Sequence, residues 1–124
     1  MRLIWLADRF SVCRVADDVK LHPHASYCFT AKTETEHSLV CRMEDVPENT
    51  IAREDDWCGF CIEGTLDFSL IGILAKIASV LAEAKIPVFV VSTYNTDYIF
   101  LKRAEECAAK TALTRAGYEI EHRR

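Results

Sequence analysis

The second half of this chain predicts an α+β sandwich, and three observations carry that reading. Leu70, Ile73, Leu74, Ile77, Val80 and Leu81 recur at spacings of three and four, the mark of an amphipathic helix. The stretch Ile86–Val91 is apolar and β-branched, which predicts a strand buried on both faces. Alternating or apolar runs at Trp57–Ile62, Tyr98–Leu101 and Tyr118–Glu121 add three more strands, with a second helix over Arg103–Ala116. The order is therefore strand, helix, strand, strand, helix, strand. That is the split β-α-β order of a ferredoxin-like sandwich, with helices on one face of an antiparallel sheet.

The first half supplies strands and little helix. Arg2–Leu6 and Phe10–Ala16 read as strands, with Asp8-Arg9 between them short enough for a tight hairpin. Pro23 argues against a helix in the connector that follows. Tyr27–Thr33 and His37–Met43 flank the polar turn Glu34-Thr35-Glu36 and form a second hairpin. Glu44–Asp56 is so charged that it reads as a solvated connector. At the second helix, Ala104, Cys107, Ala108, Thr111, Ala112 and Ala116 suggest a small-residue packing face, and Gly117 sits where a C-terminal cap belongs.

Composition excludes several function classes. With 124 residues the chain can bury one core, or two small units sharing one. Lys plus Arg number 7 against 11 acids in residues 1–62, and 8 against 8 in residues 63–124. Neither half has a basic stripe with interleaved aromatics, so nucleic acid is not expected as a partner. No apolar run approaches the length of a bilayer span. Asp8 and Arg9 interrupt the apolar start, which favours a cytoplasmic protein.

Six cysteines in such a chain are expected to be small buried hydrophobes. The exception to weigh is Trp57-Cys58-Gly59-Phe60-Cys61, which looks like the redox string of thioredoxins. A redox pair needs its first cysteine at a helix N-terminus, where the dipole favours the thiolate. On a strand, residues three apart point to opposite faces. Metal is not expected either: one CxxC supplies two ligands, and His22, His24, His37 and Cys41 make no second close pair. No signature of nucleophilic catalysis singles out a residue, so neither a cofactor nor an enzymatic activity is expected.

The organising stretch is Glu63–Leu74. A strand ends there at Glu63-Gly64, and Asp67 or Ser69 could cap the helix that follows. Free N–H groups at such a helix start suit a carboxylate, while turn acids such as Glu63, Asp67 and Asp97 suit an ammonium or guanidinium. Together they would recognise an amino acid without reacting it. Gly64 and Gly72 would let the backbone approach a ligand, or serve as a turn glycine and a helix-packing glycine.

The run Glu63–Ala75, followed by Leu81–Phe89 and Ser92–Tyr98, resembles the ACT domain. In particular it resembles the small tandem-ACT proteins related to aspartokinase regulatory domains and to CASTOR-type arginine sensors. Arg9–Val15 and Ser38–Cys41 are similar to that group's divergent first domain. The resemblance implies a divergent ACT-like unit over 1–62 and an ACT domain over 63–124. It also implies a homodimer, an amino-acid effector bound between ACT units, and a regulated partner protein. Carried over by residue, the ligand contacts would be Glu63, Gly64, Leu66, Asp67 and Gly72 in the turn and Ser92, Thr93, Asn95 and Asp97 in the facing loop. The other readings are a ligand-free dimeric interaction module and, behind it, a thiol redox protein acting through Cys58 and Cys61.

Overall fold

The computed structural model describes residues 1–64 and 72–123. Eight strands run along them: β1 (Arg2–Trp5), β2 (Phe10–Arg14), β3 (Phe29–Lys32), β4 (His37–Arg42), β5 (Ala52–Ile62), β6 (Phe89–Ser92), β7 (Asp97–Lys102) and β8 (Glu119–His122). Helix α1 (Ile73–Glu83) lies between β5 and β6, and α2 (Glu106–Arg115) between β7 and β8. Packing divides the chain into one unit of Met1–Ala7 with Cys58–Arg124, and another of Asp8–Trp57. The 1–62 and 63–124 division is one of motif resemblance, whereas the packing units follow hydrogen bonding.

In the larger unit the strand order is β6, β7, β5, β1, β8. Its second-half elements come in the expected order, strand, helix, strand, strand, helix, strand. The sheet is mixed and not purely antiparallel, because β1 is inserted between β5 and β8. It pairs antiparallel to β5 (Leu3 opposite Ile62) and parallel to β8 (Leu3 opposite Ile120). The hairpin expected from Asp8-Arg9 is therefore not formed. β1 is hydrogen-bonded to strands of the second half, and β2 pairs with β4 and with residues 52–57 of β5.

One core lies between the helices and this sheet. Leu3, Trp5, Cys58, Phe60, Ile62, Ile99 and Leu101 from the strands meet Ile77 and Leu81 of α1 and Ala109 and Leu113 of α2. Ile73, Leu74 and Val80 pack against it, as the periodicity of α1 predicts; Leu70 lies outside the described residues. For α2 the expected face is the wrong one. Cys107, Ala108 and Thr111 are exposed, and the buried residues are Ala109 and Leu113. The large Leu113 gains more by burial than the small side chains do, and that decides the rotation.

Two more expectations are corrected by burial. Ile86–Val91 is not a central strand: β6 begins at Phe89, pairs with β7 along one edge, and leaves Val90 exposed. Charged residues 53–56 are not a connector but the first part of β5. They tolerate strand geometry because their polar groups pair locally. Asp55 accepts the fully buried Ser11 hydroxyl (2.5 Å) and a two-nitrogen contact from Arg53 (3.0 and 2.8 Å).

The smaller unit orders its strands β3, β4, β2 and the start of β5, over a small core of Cys13, Val15, Leu39 and Cys41. Its hairpin repeats that of the larger unit with an offset of 60 residues. β3 and β4 (29–32 and 37–42) become β6 and β7 (89–92 and 97–102), each pair followed by a short 3-10 turn. The register is the same, Phe29 opposite Val40 and Phe89 opposite Phe100. The turns match as well: Thr33 N–H to Glu36 O is 2.8 Å, and Thr93 N–H to Thr96 O is 2.9 Å.

Candidate functional site

The β6–β7 loop is tied to the strand that leads into the turn. The Thr96 hydroxyl donates to the Ile62 carbonyl (3.2 Å), fastening the β6–β7 loop to the end of β5, next to Glu63 and Gly64. The loop itself is fixed from within. Thr93 Oγ1 donates to Thr96 O (2.9 Å), and Ser92 Oγ donates to Asp97 Oδ1 (2.5 Å) across the first register pair of the hairpin. Ser92, Thr93 and Asp97 are thus held at the same end of the sheet as Glu63. Asn95 sits in the exposed tip beside Tyr94, which is 86% exposed.

Gly64 and Gly72 bracket the turn, and both are left-handed, with φ of 83° and 82°. A Cβ at either position would meet nothing within 4 Å. Helix-packing therefore does not explain Gly72; backbone conformation does. It is also not inside the helix but the residue that precedes it, and as a glycine it supplies no side-chain cap there. Leu66, Asp67 and Ser69, expected as contacts or caps, lie outside the described residues.

Glu63 is not an unshared acid: Arg2 reaches its carboxylate at 3.4 Å and Glu119 at 3.7 Å. These groups are largely exposed, so the contacts are weak and exchangeable. Arg2, Thr96 and Glu119 are the residues that sequence reasoning missed. A Thr-x-x-Thr spacing was the available signal for Thr96; Arg2 and Glu119 gave none, because only the insertion of β1 brings them together.

The CxxC string offers no reactive thiol. Cys58 and Cys61 are both on β5 and buried. Cys58 belongs to the helix-side core, and Cys61 points to the other face. Burial pushes the Cys58 thiol up to about 12, helped by nearby Glu106 and opposed by Lys110. Burial also raises Cys61. Among the described residues no group of three His, Cys, Asp or Glu side chains could hold a metal ion. No helix among them is long and apolar enough to cross a membrane.

Two results follow for these thiols. With iodoacetamide near neutral pH, exposed Cys107 is expected to react in the native protein, while Cys58 and Cys61 react only on unfolding, as peptide mapping would show. The linkage sign is also fixed. The unfolded thiol ionises around 9.0, whereas folded Cys58 stays protonated to about 12. Its contribution to stability is intact below the first value and is lost as pH rises towards the second. Cys58→Ala should reduce that alkaline loss in denaturant titrations; an identical alkaline slope would contradict the assignment.

The strands and helices define a small α+β domain, and comparison with known proteins names its family. A family model of the ACT domain matches residues 52–115, and the chain belongs to the ACT-domain family. Among solved structures, a protein from Agobacterium tumefaciens is similar over 99% of this chain and 93% of its own, with a TM-score of 0.86 and 22% identity. A protein of unknown function from Vibrio cholerae is similar over 92% and 88%, with a TM-score of 0.68 and 22% identity. The ligand-free regulatory subunit of aspartate kinase from Thermus thermophilus is similar over 94% and 97%, with a TM-score of 0.63 and 10% identity. At these identities the likeness is one of fold. No curated protein matches the chain.

Proposed function

We propose that this chain is a non-catalytic regulatory or sensor protein that binds a free amino acid at the β5–α1 turn and the β6–β7 loop. The ligand residues are Glu63, Gly64, Leu66, Asp67 and Gly72 with Ser92, Thr93, Asn95 and Asp97. The observation that carries the reading is the Thr96–Ile62 hydrogen bond, which holds the loop against the end of β5. Because Glu63 is shared with Arg2, the ligand's ammonium is assigned to Asp97. The protein acts as a cytoplasmic homodimer on a separate partner protein. Supporting the dimer, β6 is paired only with β7 among the described strands and exposes Val90.

A thermal-shift panel of the common amino acids tests this. One of them should stabilise the protein selectively, by about 2.7 kcal/mol at a hundredfold excess over Kd. Asp97→Ala should abolish the shift, while loss of the exposed Ser92–Asp97 hydrogen bond lowers the ligand-free Tm only modestly. A flat panel would instead favour the ligand-free interaction module, and an unaltered shift in Asp97→Ala would remove Asp97 from the site.

A further inference from the structure

Three of the cysteines meet in the core of the smaller unit. Cys13 and Cys41 are buried there with Val15 and Leu39, and half-buried Cys28 packs against them. Where the larger unit lays α1 on its sheet, the smaller one has the connector 15–28, whose Val19 and Cys28 pack on this core.

Strand register decides which of these thiols can meet. β3 and β4 pair with Lys32 opposite His37 and Phe29 opposite Val40, so the next position beyond β3 sets Cys28 beside Cys41. The bond from Thr33 N–H to Glu36 O marks 33 and 36 as a hydrogen-bonded pair. Alternation from that pair makes 28 and 41 a non-hydrogen-bonded one. Such pairs hold their Cα atoms about 4.5 Å apart, inside the roughly 4.4–6.8 Å that a disulfide spans. Cys13 instead lies opposite Leu39, on the diagonal from Cys41. Diagonal neighbours are about 7–8 Å apart, too far for a disulfide without backbone movement. Cys58 and Cys61 point to opposite faces of β5, and Cys107 is on α2. The register therefore selects one pair. Tyr27 stands edge-on against the buried Phe10 ring (6.2 Å), which fixes the approach of Cys28 next to it.

We propose that Cys28 and Cys41 are a reversible redox pair, closed to a disulfide by exchange with low-molecular-weight disulfides. Cys28 is the thiol that a small oxidant meets first, since Cys41 is only 1% exposed. Its thiolate attacks one sulfur of the oxidant, forms a mixed disulfide and releases one small thiolate. Cys41 then attacks the Cys28 sulfur and expels the second. Two protein thiols are oxidised and one small disulfide is reduced, and the two protons lost by the cysteines end on the two released thiols. Burial and Asp45 raise the Cys28 thiol. Burial, with Cys13, Cys28 and Asp45 adding to it and Arg53 opposing, pushes Cys41 up to about 12. Exchange is therefore slow near neutral pH in both directions, because few thiolates form and basic thiols are poor leaving groups. Closed, the link pins the connector to β4 over the core. It uses no residue of the amino-acid site and does not rest on that reading.

The test is equilibration of the full-length reduced chain in anaerobic glutathione buffers at mildly alkaline pH, continued until the products no longer change. Acid quenching, blocking with N-ethylmaleimide in denaturant and non-reducing peptide mapping then identify every thiol. The expected product is one linked peptide pair carrying Cys28 and Cys41, with Cys13, Cys58 and Cys61 recovered as blocked thiols. Its equilibrium constant should be at least about tenfold larger in the native chain than in concentrated urea, because the fold holds the two thiols together. Cys28→Ser should abolish the link, and Cys107→Ser should leave it unchanged. Cys28 recovered only free or as its glutathione adduct overturns the proposal. So does a link that includes Cys13, or a native constant no larger than the unfolded one.

Discussion

Replacing Trp5 by alanine is expected to cost about 3–5 kcal/mol of stability, the largest effect of any single change considered. Trp5 is 2% exposed and stacks on Phe60 with ring centroids 4.8 Å apart and planes 15° from parallel. Its indole N–H donates to Glu106 Oε2 (2.8 Å), and Lys110 Nζ lies 5.0 Å from the ring. One side chain on β1 thus holds the sheet core and the first turns of α2 together. Removing it leaves a cavity, takes the indole partner from half-buried Glu106, and deletes a stacked pair. Trp5→Phe keeps a ring over Phe60 and loses the hydrogen bond, so it should cost clearly less than Trp5→Ala. Urea unfolding followed by circular dichroism would show both. A loss below about 1 kcal/mol for Trp5→Ala would mean that β1 is not part of this core.

How much of this was legible in the sequence depended on what each signal measures. The α1 periodicity was read correctly because five apolar residues between 73 and 81 face one core. In α2 the count of small residues pointed one way and a single leucine the other, and volume won. Charge density concealed the start of β5, because the pairings that make residues 53–56 acceptable in a strand are to Ser11 and within the strand itself. The apolar run at 86–91 suggested two buried faces, but nothing in composition tells how many neighbours a strand has. Register and insertion are non-local, and β1, within the first five residues of the sequence yet bonded to β8, is the plainest case.

The candidate site was legible in outline for a related reason. Turn glycines and Thr-rich loops announce local backbone conformation, and Gly64, Gly72 and Thr93 all do what their types suggest. Charge partnership is not local. Glu63 and Asp97 look alike as acids in turns, yet one meets Arg2 on β1 and the other Ser92 across its own hairpin. The 60-residue repeat was hidden because only its apolar character and turn chemistry persist. Phe29 and Phe89, or Thr33 and Thr93, are identical, while His37 stands where Asp97 does.

Gly59→Val is expected to be the second most damaging change, and Gly59→Ala alone should cost about 1–3 kcal/mol. A Cβ at this position would lie 2.7 Å from Cε1 and 2.8 Å from Cδ1 of Phe100, far inside contact distance. The ring has little freedom to yield, since Phe100 is fully buried and stacks on Phe89 at 5.0 Å and 15°. Nor can the strand shift easily: Gly59 O accepts from Leu6 N–H (2.9 Å) as β1 pairs alongside. Valine adds two methyl groups to the same clash, so partial unfolding at moderate temperature is the expected outcome. The cause is testable by a double-mutant cycle. Phe100→Leu should be destabilising alone, yet the pair Gly59→Ala with Phe100→Leu should lose less than the sum of the two. Strict additivity would show that the ring is not what excludes a side chain at 59. The glycine that makes Trp57-Cys58-Gly59-Phe60-Cys61 look like a redox string is then explained without redox chemistry: it is the space that β5 leaves for an aromatic ring on β7.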